Sequence, residues 1–211
     1  MRLFVSLDLP TEVCAHLDLA VRSVTELDPA PLPGRGRPAL RWTPAEQRHL
    51  TVAFYGEVPD GAVGDLREDL AATAREFAPV ELRLQGAGVF SGQTLWAGVH
   101  ETSPRLHSEE RSDLMRLMAA CEEVGARHLA PPAADAVRSR DRRRAHVTLA
   151  RSRDRRLGEV ELRRRARALA VYTGPEWTAE AMTLVRSELG AGRGGTALHT
   201  PVARLPLGGA S

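Results

Sequence analysis

The sequence predicts an α+β fold in which antiparallel sheets are covered by helices on their outer sides. Three observations predict it. Segments with strand-like patterns are interspersed with longer segments of helical periodicity. Two pairs of predicted strands, at 80–99 and 181–205, are each joined by a glycine-containing turn, which favours hairpins over a doubly wound parallel sheet. The 211 residues, 43% of them hydrophobic, are enough to bury one sizeable core, so we expect residues 1–211 to form a single domain.

Each element follows from a local pattern. Apolar–polar alternation, or β-branched and aromatic residues, predicts the strands. Apolar residues three and four apart predict the helices, the first of which follows Pro10 with Thr11 as its N-cap. The strands are expected at 2–8, 49–55, 80–90, 95–99, 146–150, 181–189 and 197–205. The helices are expected at 11–26, 60–77, 104–125 and 155–170, with loops at 28–38 and 131–144.

The composition excludes several classes of protein. No apolar run reaches the roughly 20 residues that a membrane-spanning helix needs, so no membrane association is expected. The apolar N-terminal stretch is interrupted at Asp8 before it is long enough for a signal peptide. The two cysteines, Cys14 and Cys121, are too few for a disulfide framework or a zinc cluster. A reducing cytoplasm is therefore the expected location.

Positive charge is concentrated in one part of the chain. The net charge is only +2, but residues 138–167 contain 13 arginines against four acidic residues. Such an excess can steer a polyanion toward one face of the molecule. A solvated helix face with an adjoining loop is the equal alternative.

One short pattern occurs twice. Residues 49–52 read His-Leu-Thr-Val and residues 146–149 read His-Val-Thr-Leu, each on a predicted strand that precedes a predicted helix. Side chains two apart on a strand point to the same side, so each copy presents one imidazole and one hydroxyl on one face. If a pseudo-two-fold axis relates the halves of the chain, the two pairs face each other across a shared cleft.

Two imidazoles and two hydroxyls around one cleft suit displacement at phosphorus. This reaction removes a proton from the attacking oxygen and returns one to the departing oxygen, and histidine titrates in the range that allows both. Hydroxyls can donate to the non-bridging oxygens, where charge develops. His49, Thr51, His146 and Thr148 are therefore the candidate catalytic residues, and no metal is required. For either copy alone, a structural strand histidine is the alternative.

The motifs, together with the segments 1–10, 41–60, 88–99, 144–153 and 185–207, resemble the two-histidine (2H) phosphoesterase superfamily. Within it, the chain is similar to the bacterial and archaeal RNA 2′,3′-cyclic phosphodiesterases, a family historically named 2′-5′ RNA ligases. The resemblance implies a bilobal fold with two antiparallel sheets, helices outside and a central cleft. It also implies hydrolysis of RNA 2′,3′-cyclic phosphate ends to 2′-phosphomonoesters without metal or other cofactor. The reverse reaction with a 5′-hydroxyl gives a 2′-5′ linkage. The family's usual assignment makes His49 the proton donor and His146 the proton acceptor.

Several positions depart from the family pattern, and two of them bear on the site. Many relatives carry lysine or arginine where Ala53 stands, and strand alternation places Ala53 on the face of the first motif's His and Thr. The resemblance thus implies that a phosphate-facing cation is missing, and Arg41, Arg48 or Arg151 are candidates to replace it. His199 stands where relatives often have an aromatic residue.

Arg151, Trp42 and Phe54 are further candidates for substrate binding. Arg151 follows the second motif directly and could contact a phosphate, with an ordinary surface position as the equal alternative. Trp42 and Phe54 could stack on a base, as exposed aromatic residues do in single-strand binding. Core packing is the alternative for both, and we favour it for Phe54.

The expected partner is RNA with a 2′,3′-cyclic phosphate end, or a nucleotide with a cyclic phosphate. A monomer is expected because one chain supplies both motifs. A non-catalytic nucleotide- or RNA-binding module that uses the same cleft is the alternative function, and a phosphoesterase for another cyclic phosphate is a third. Paired titrating histidines favour an enzyme, because a binding protein needs only hydrogen-bond donors.

Overall fold

A computed structural model describes residues 1–25, 39–103, 112–129, 144–153, 157–192 and 195–208. The strands are β1 (Arg2–Asp8), β2 (Leu40–Trp42), β3 (His49–Glu57), β4 (Val80–Phe90), β5 (Thr94–Glu101), β6 (His146–Ser152), β7 (Thr173–Ala179), β8 (Ala181–Glu188) and β9 (Leu198–Pro206). The helices are α1 (Thr11–Thr25), α2 (Val63–Arg75), α3 (Asp113–His128) and α4 (Leu157–Ala168). Short 3₁₀ turns at Ala45–Gln47 and Asp60–Ala62 precede β3 and α2.

The strands pair antiparallel in the order β7-β4-β5-β6-β3-β1-β8-β9, and β2 adds to β6. This confirms the predicted α+β class. The two sheets expected from the sequence are, however, joined into one nine-stranded sheet. The junction lies between β3 and β6, where Leu50 pairs with Val147. Four strands of the main path lie on each side of this junction, so each half contributes one strand that carries a His-x-Thr motif.

The helices tie the two halves of the sheet together. Helix α1 follows β1 in the chain but packs against β7, at the far end of the other half. Helix α3 follows β5 but packs against β3 and against α2, in the half that contains β1. Helix α4 covers β4, β5 and β6. Each half of the sheet is therefore covered by a helix that follows, along the chain, a strand of the other half.

The hairpin between β4 and β5 forms as its sequence predicts. Ser91 and Gly92 both have positive φ, at 49° and 66°, and the amide of Gln93 donates to the carbonyl of Phe90 at 2.9 Å. Two consecutive positive φ angles define the type I′ turn, whose twist matches that of antiparallel strands. Gly92 supplies one of these angles without steric cost.

Two strands were not predicted. Strand β2 is only three residues long and follows the stretch of prolines and glycines that predicts a loop. Strand β7 contains Gly174 and Pro175, which disfavour strands, but it is an edge strand of the sheet. An edge strand tolerates proline because half of its backbone groups have no partner strand.

The remaining boundaries agree with the sequence within a few residues, except at α3. Its predicted start near 104 lies outside the described residues, and the helix begins at Asp113, where the Ser112 hydroxyl accepts from the amide of Met115 at 3.4 Å. The predicted loop at 28–38, the predicted loop at 131–144 apart from Arg144, and the arginines at 138–143 and 155–156 also lie outside the described residues. None of the helices in the described ranges is long and apolar enough to cross a membrane.

Candidate active site

The two motif strands present the same burial pattern. In β3 the apolar motif residues Leu50 and Val52 are buried in the core, and in β6 Val147 and Leu149 are buried in the same way. The side chains between them are half-buried and line one cavity of about 530 Å³, as the alternation of a strand requires. The structure thus brings together all four of the residues proposed from the motifs, namely His49, Thr51, His146 and Thr148.

Leu50 pairs with Val147, and the two motifs run in opposite directions past this pair. Strands β3 and β6 are antiparallel, so the residue before Leu50 lies on the side of the residue after Val147. His49 therefore lies toward Thr148, and His146 lies toward Thr51. This arrangement is the pseudo-two-fold relation expected from the duplicated motif.

Both histidine rings are held by the same kind of hydrogen bond. The Nδ1 atom of His49 lies 2.9 Å from the carbonyl oxygen of Gln47, and the Nδ1 atom of His146 lies 2.7 Å from that of Arg144. A carbonyl oxygen can only accept, so Nδ1 carries a proton in each ring. The other nitrogen, Nε2, is then the atom that gains or loses a proton, and the backbone two residues earlier fixes its direction.

A β-bulge in each motif strand changes which later residues face the cavity. Against β1, residue Val5 pairs with Ala53 and Ser6 pairs with Thr51, so Val52 is an extra residue in β3. Leu149 occupies the place of Val52 in the second motif. It is likewise an extra residue in β6 when this strand pairs with β5. A bulge of this kind shifts the alternation of side chains by one position.

The bulge corrects the expectation for Ala53. This residue does not share the face of His49 and Thr51; it is 4% exposed and belongs to the hydrophobic core. The absence of a cation at Ala53 therefore removes nothing from the cavity. Phe54 takes the cavity-facing place instead and is 55% exposed, so the core packing that we favoured for it is wrong. The guanidinium of Arg2 lies 4.8 Å from the centre of the Phe54 ring.

The two threonine hydroxyls are available to a ligand. Thr51 and Thr148 both line the cavity, and neither side chain forms a hydrogen bond with another residue in the described ranges. A hydroxyl can rotate to donate to an anionic oxygen. Each histidine therefore has a free donor two residues further along the same strand.

Burial lowers the pKa of both histidines. Loss of water contact is the largest cause for His49, and the nearby charge of His199 adds to it, so the pKa falls to about 4. The charge of His146 lowers the pKa of His49 further, which indicates that the two rings are close enough to interact. Desolvation is also the main cause for His146, whose pKa lies below its ordinary value. Both imidazoles are therefore neutral at pH 7 in the free protein.

The charged neighbours of the two histidines have opposite signs. Asp8 pairs with His49 across β1 and β3, and its negative charge raises the pKa of His49 against the effect of burial. The Asp8 carboxylate accepts a hydrogen bond from the hydroxyl of the buried Thr183 at 2.9 Å. Beside His146, in contrast, the positive charge of Arg151 adds to burial in lowering the pKa.

Aromatic rings enclose the His49 imidazole. Phe4 of β1 stacks on it at 4.8 Å between ring centres, and His199 of β9 approaches edge-on at 5.3 Å. His199 also contacts Phe4 edge-on at 5.1 Å. Sequence analysis gave neither Phe4 nor Asp8 a role, and His199 only as a departure from the family pattern. The strand pairing that brings them to His49 is long-range, and no local signal reveals it.

A second pair of rings encloses the other histidine. Phe90 contacts the His146 ring edge-on at 4.9 Å and is itself stacked on Trp96 at 5.0 Å. Trp96 lies 6.4 Å from His146. Edge-on aromatic contacts fix the plane of a ring at little entropic cost. Both imidazoles are thus oriented from one side by the backbone and from another by aromatic rings.

The three further candidates for substrate binding also line the cavity. Arg151 lies three residues after Thr148 and is exposed. Trp42 is half-buried, packs against the core and lies 6.0 Å from the guanidinium of Arg165. Strand β2 pairs Trp42 with the buried Ala150, so the ring shares the core face of β2 with Leu40, and the residue borders the cavity.

Of the cations considered as replacements at Ala53, Arg48 is unsuitable. It is almost fully buried and forms a salt bridge of 2.5 Å with Asp18 of α1, and its Nε donates to the carbonyl of Thr43 at 3.3 Å. Arg41 and Arg151 are exposed and line the cavity. Among the described residues, no group of three or more His, Cys, Asp or Glu side chains has the arrangement of a metal site.

An antiparallel α+β scaffold with two opposed His-x-Thr pairs in one cavity is the architecture of a two-histidine phosphoesterase. The chain belongs to the 2′-5′ RNA ligase superfamily, whose family model matches residues 15–191. The family predicted from the sequence is thereby confirmed, and with it the predicted class of enzyme, a phosphodiesterase.

Similar proteins support this membership. The RNA 2′,3′-cyclic phosphodiesterase of Thermus thermophilus is 32% identical over 197 residues, which are 90% of this chain and 83% of that protein. A protein of the same name from Geobacillus stearothermophilus is 37% identical over 92 residues, which are 42% of this chain and 28% of that protein. Among solved structures, a Thermus thermophilus protein named TT0787 is 28% identical with a TM-score of 0.65, over 98% of both chains. The structure of E. coli LigT without ligand shares the fold, with 21% identity and a TM-score of 0.59 over 99% of this chain and 98% of that chain.

Proposed function

We propose that the protein hydrolyses 2′,3′-cyclic phosphates at the ends of RNA to 2′-phosphomonoesters, with two histidines as acid and base and without a metal. The observation that carries this proposal is the matched pair of imidazoles, His49 and His146, each with Nδ1 bound to a backbone carbonyl and Nε2 left to exchange a proton. The names of the similar proteins supply the substrate class.

In this mechanism the cyclic phosphate lies between the two histidines. His146 removes a proton from water, and the water oxygen forms a bond to phosphorus. The bond between phosphorus and the 3′-oxygen breaks, and His49 donates a proton to that oxygen. Thr51 and Thr148 donate hydrogen bonds to the non-bridging oxygens, whose negative charge grows in the transition state. The sum is the addition of one water molecule across the P–O3′ bond.

Two neighbouring charges, those of Asp8 and Arg151, fit this division of roles, whereas burial and the charge of His199 act more strongly on His49 in the opposite sense. A donor must be protonated when the substrate is bound, and an acceptor must be neutral. The anionic phosphate raises the pKa of both histidines, and the neighbouring Asp8 favours the imidazolium form of His49 in addition. Arg151 favours the neutral form of His146. We assign His49 as the donor and His146 as the acceptor, following the family's usual assignment.

The same site accommodates the joining reaction if a 5′-hydroxyl takes the place of water. Its oxygen then forms the bond to phosphorus, the 3′-oxygen departs with a proton from His49, and the product is a 2′-5′ linkage. We propose in addition that the protein acts as a monomer, because one chain supplies both motifs. A cytoplasmic location fits the two free thiols, Cys14 and Cys121.

The test is hydrolysis of an RNA oligonucleotide with a 2′,3′-cyclic phosphate end by His49→Ala and His146→Ala. Each variant is expected to lose about 10²- to 10⁴-fold in kcat. His100→Ala is the matched control, because this histidine is exposed on β5 and does not line the cavity. Near-normal activity in either motif variant would refute the acid–base roles. Salt-dependent binding of RNA without any product would support the alternative, a non-catalytic RNA-binding module.

A further inference from the structure

The pseudo-two-fold scaffold carries different residues at equivalent positions on its two sides. Phe54 and Arg151 each lie three residues after the motif threonine, beyond equivalent bulges, and both line the cavity. The half of the sheet that carries His49 is therefore aromatic at this position, and the half that carries His146, called the cationic side below, has an arginine there. A cavity whose two sides carry different residues favours one orientation of a bound ligand.

The cationic side contains a second arginine in direct register with the first. Strand β2 pairs antiparallel with β6, and Arg41 is the cross-strand partner of Arg151. Both side chains are exposed and line the cavity. The charge of Arg41 acts with desolvation, the larger cause, to lower the pKa of Arg151, so the two guanidinium groups repel each other.

This repulsion is not relieved by an acidic neighbour within the described ranges. Arg83 and Arg186, which also lie on strands, each form a salt bridge with a glutamate, whereas Arg41 and Arg151 have no carboxylate of a described residue within 4.0 Å. Like charges directly opposite each other on a sheet are destabilising. An arginine pair at the wall of a cavity is therefore suited to an anion that neutralises both groups.

The position of the pair suits a phosphate other than the one that reacts. Thr148 pairs with Trp96 and Arg151 pairs with Thr94, so the bulge leaves Arg151 two positions, or about 7 Å, beyond Thr148 along the sheet. Trp42 follows Arg41 directly but lies on the opposite face of β2, where it pairs with the buried Ala150 and packs against the core. Positively charged groups that follow the phosphate backbone are how proteins hold single-stranded nucleic acids, and the two arginines supply such groups beside the motifs.

We propose that Arg41 and Arg151 form a second phosphate site, which binds the internucleotide phosphate next to the cyclic end. The protein then selects ends of RNA strands over free nucleoside cyclic phosphates, because only a strand supplies the second phosphate. This inference rests on the proposed function and specifies the substrate class of the same site.

The test compares three substrates with the same terminal nucleoside. They are adenosine 2′,3′-cyclic monophosphate, a dinucleotide that ends in this group, and the same dinucleotide with an uncharged methylphosphonate linkage. With the unaltered protein, kcat/KM is expected to be about 10-fold or more higher for the charged dinucleotide than for either other substrate, as a charge-assisted contact to phosphate implies. Arg41→Gln is expected to remove most of this preference.

The control is Arg67→Gln, which removes one positive charge from the exposed face of α2, away from the cavity. This variant is expected to keep the preference, which separates a local site from the net charge of the protein. Equal kcat/KM for the three substrates, or equal losses on all three in Arg41→Gln, would overturn the second phosphate site and leave the proposed function intact. No turnover of any substrate would overturn both proposals.

Discussion

Leu50 lies directly opposite Val147 at the junction of β3 and β6, with both side chains fully buried. Each of these residues separates the histidine from the threonine of its own motif. One pair of core residues therefore fixes the distance and direction between two sets of functional groups that are 97 residues apart in the chain. Central strands of the sheet, and not loops, position the site. The histidine and threonine side chains of the motifs therefore lie on the most stable part of the fold.

Replacement of Phe54 by alanine is expected to weaken substrate binding without loss of stability. The ring is 55% exposed and lines the cavity beside Arg2, so its removal takes away a stacking surface and not a core contact. A base stacked on an aromatic side chain contributes about 1–3 kcal/mol, so KM is expected to rise by about 5-fold or more. Steady-state kinetics checks this, with Phe54→Trp as the control that keeps a stacking surface. Unchanged KM in Phe54→Ala would contradict the role.

Replacement of His199 by asparagine is expected to raise the pKa of His49. Burial is the main cause of the low value, but the charge of His199 at 5.3 Å also opposes protonation of His49. Asparagine removes that charge without adding apolar bulk. NMR titration of the His49 ring is expected to give a pKa near 4 in the unaltered protein and a higher value in His199→Asn. An equal or lower value in the variant would show that His199 does not act on His49 through its charge.

Acidification is expected to destabilise the fold through His49. The unfolded chain takes up a proton on this histidine near pH 6.5, whereas the folded protein resists protonation down to about pH 4. The stabilisation is fully present above about pH 6.5 and is lost as the pH falls toward 4, because the unfolded state then binds more protons. The loss amounts to at most about 3 kcal/mol.

Urea unfolding at about pH 7 and about pH 4.5 measures this contribution. His49→Gln is expected to lose less stability between the two pH values than the unaltered protein, since the other titrating groups are common to both. Identical losses would mean that His49 has a similar pKa in the folded and unfolded states.

Replacement of Asp18 by asparagine is expected to cost roughly 2–4 kcal/mol of unfolding free energy, because it leaves the Arg48 guanidinium buried without a counter-charge. Asp18→Asn combined with Arg48→Met is expected to recover most of the loss, since the apolar side chain fills the space without a charge. Urea unfolding of the two variants checks both values. A double variant as unstable as Asp18→Asn would indicate that the hydrogen bond from Arg48 to Thr43 matters more than the ion pair.

Which motif residues line the candidate site could be predicted from the sequence because their pattern is local. The alternation around residues 49–52 and 146–149 indicates which side chains share a face, and the structure places them in one cavity. The alternation fails immediately after each motif, where an extra residue exchanges the environments of Ala53 and Phe54. A bulge is a property of two paired strands, so a single strand's pattern does not reveal it.

The same reason accounts for the other differences. Strand β2 forms because β6 offers it a partner, not because three residues after a loop have a strong preference for the extended state. The two expected sheets are continuous because Leu50 and Val147 meet, which is a tertiary event. The contacts of Phe4, Asp8 and His199 with His49 depend on that same long-range pairing.

The extra residue in each motif strand also determines where the substrate range of this scaffold can be altered. Counting every second position from the histidine would lead an engineer to residues 53 and 150, where larger side chains would disturb the interior and reach no ligand. Positions 54 and 151 are the ones that open onto the cavity, one from each half. A library that varies these two positions jointly would change the lining of the cavity while leaving the two motif histidines and the groups that hold their rings untouched.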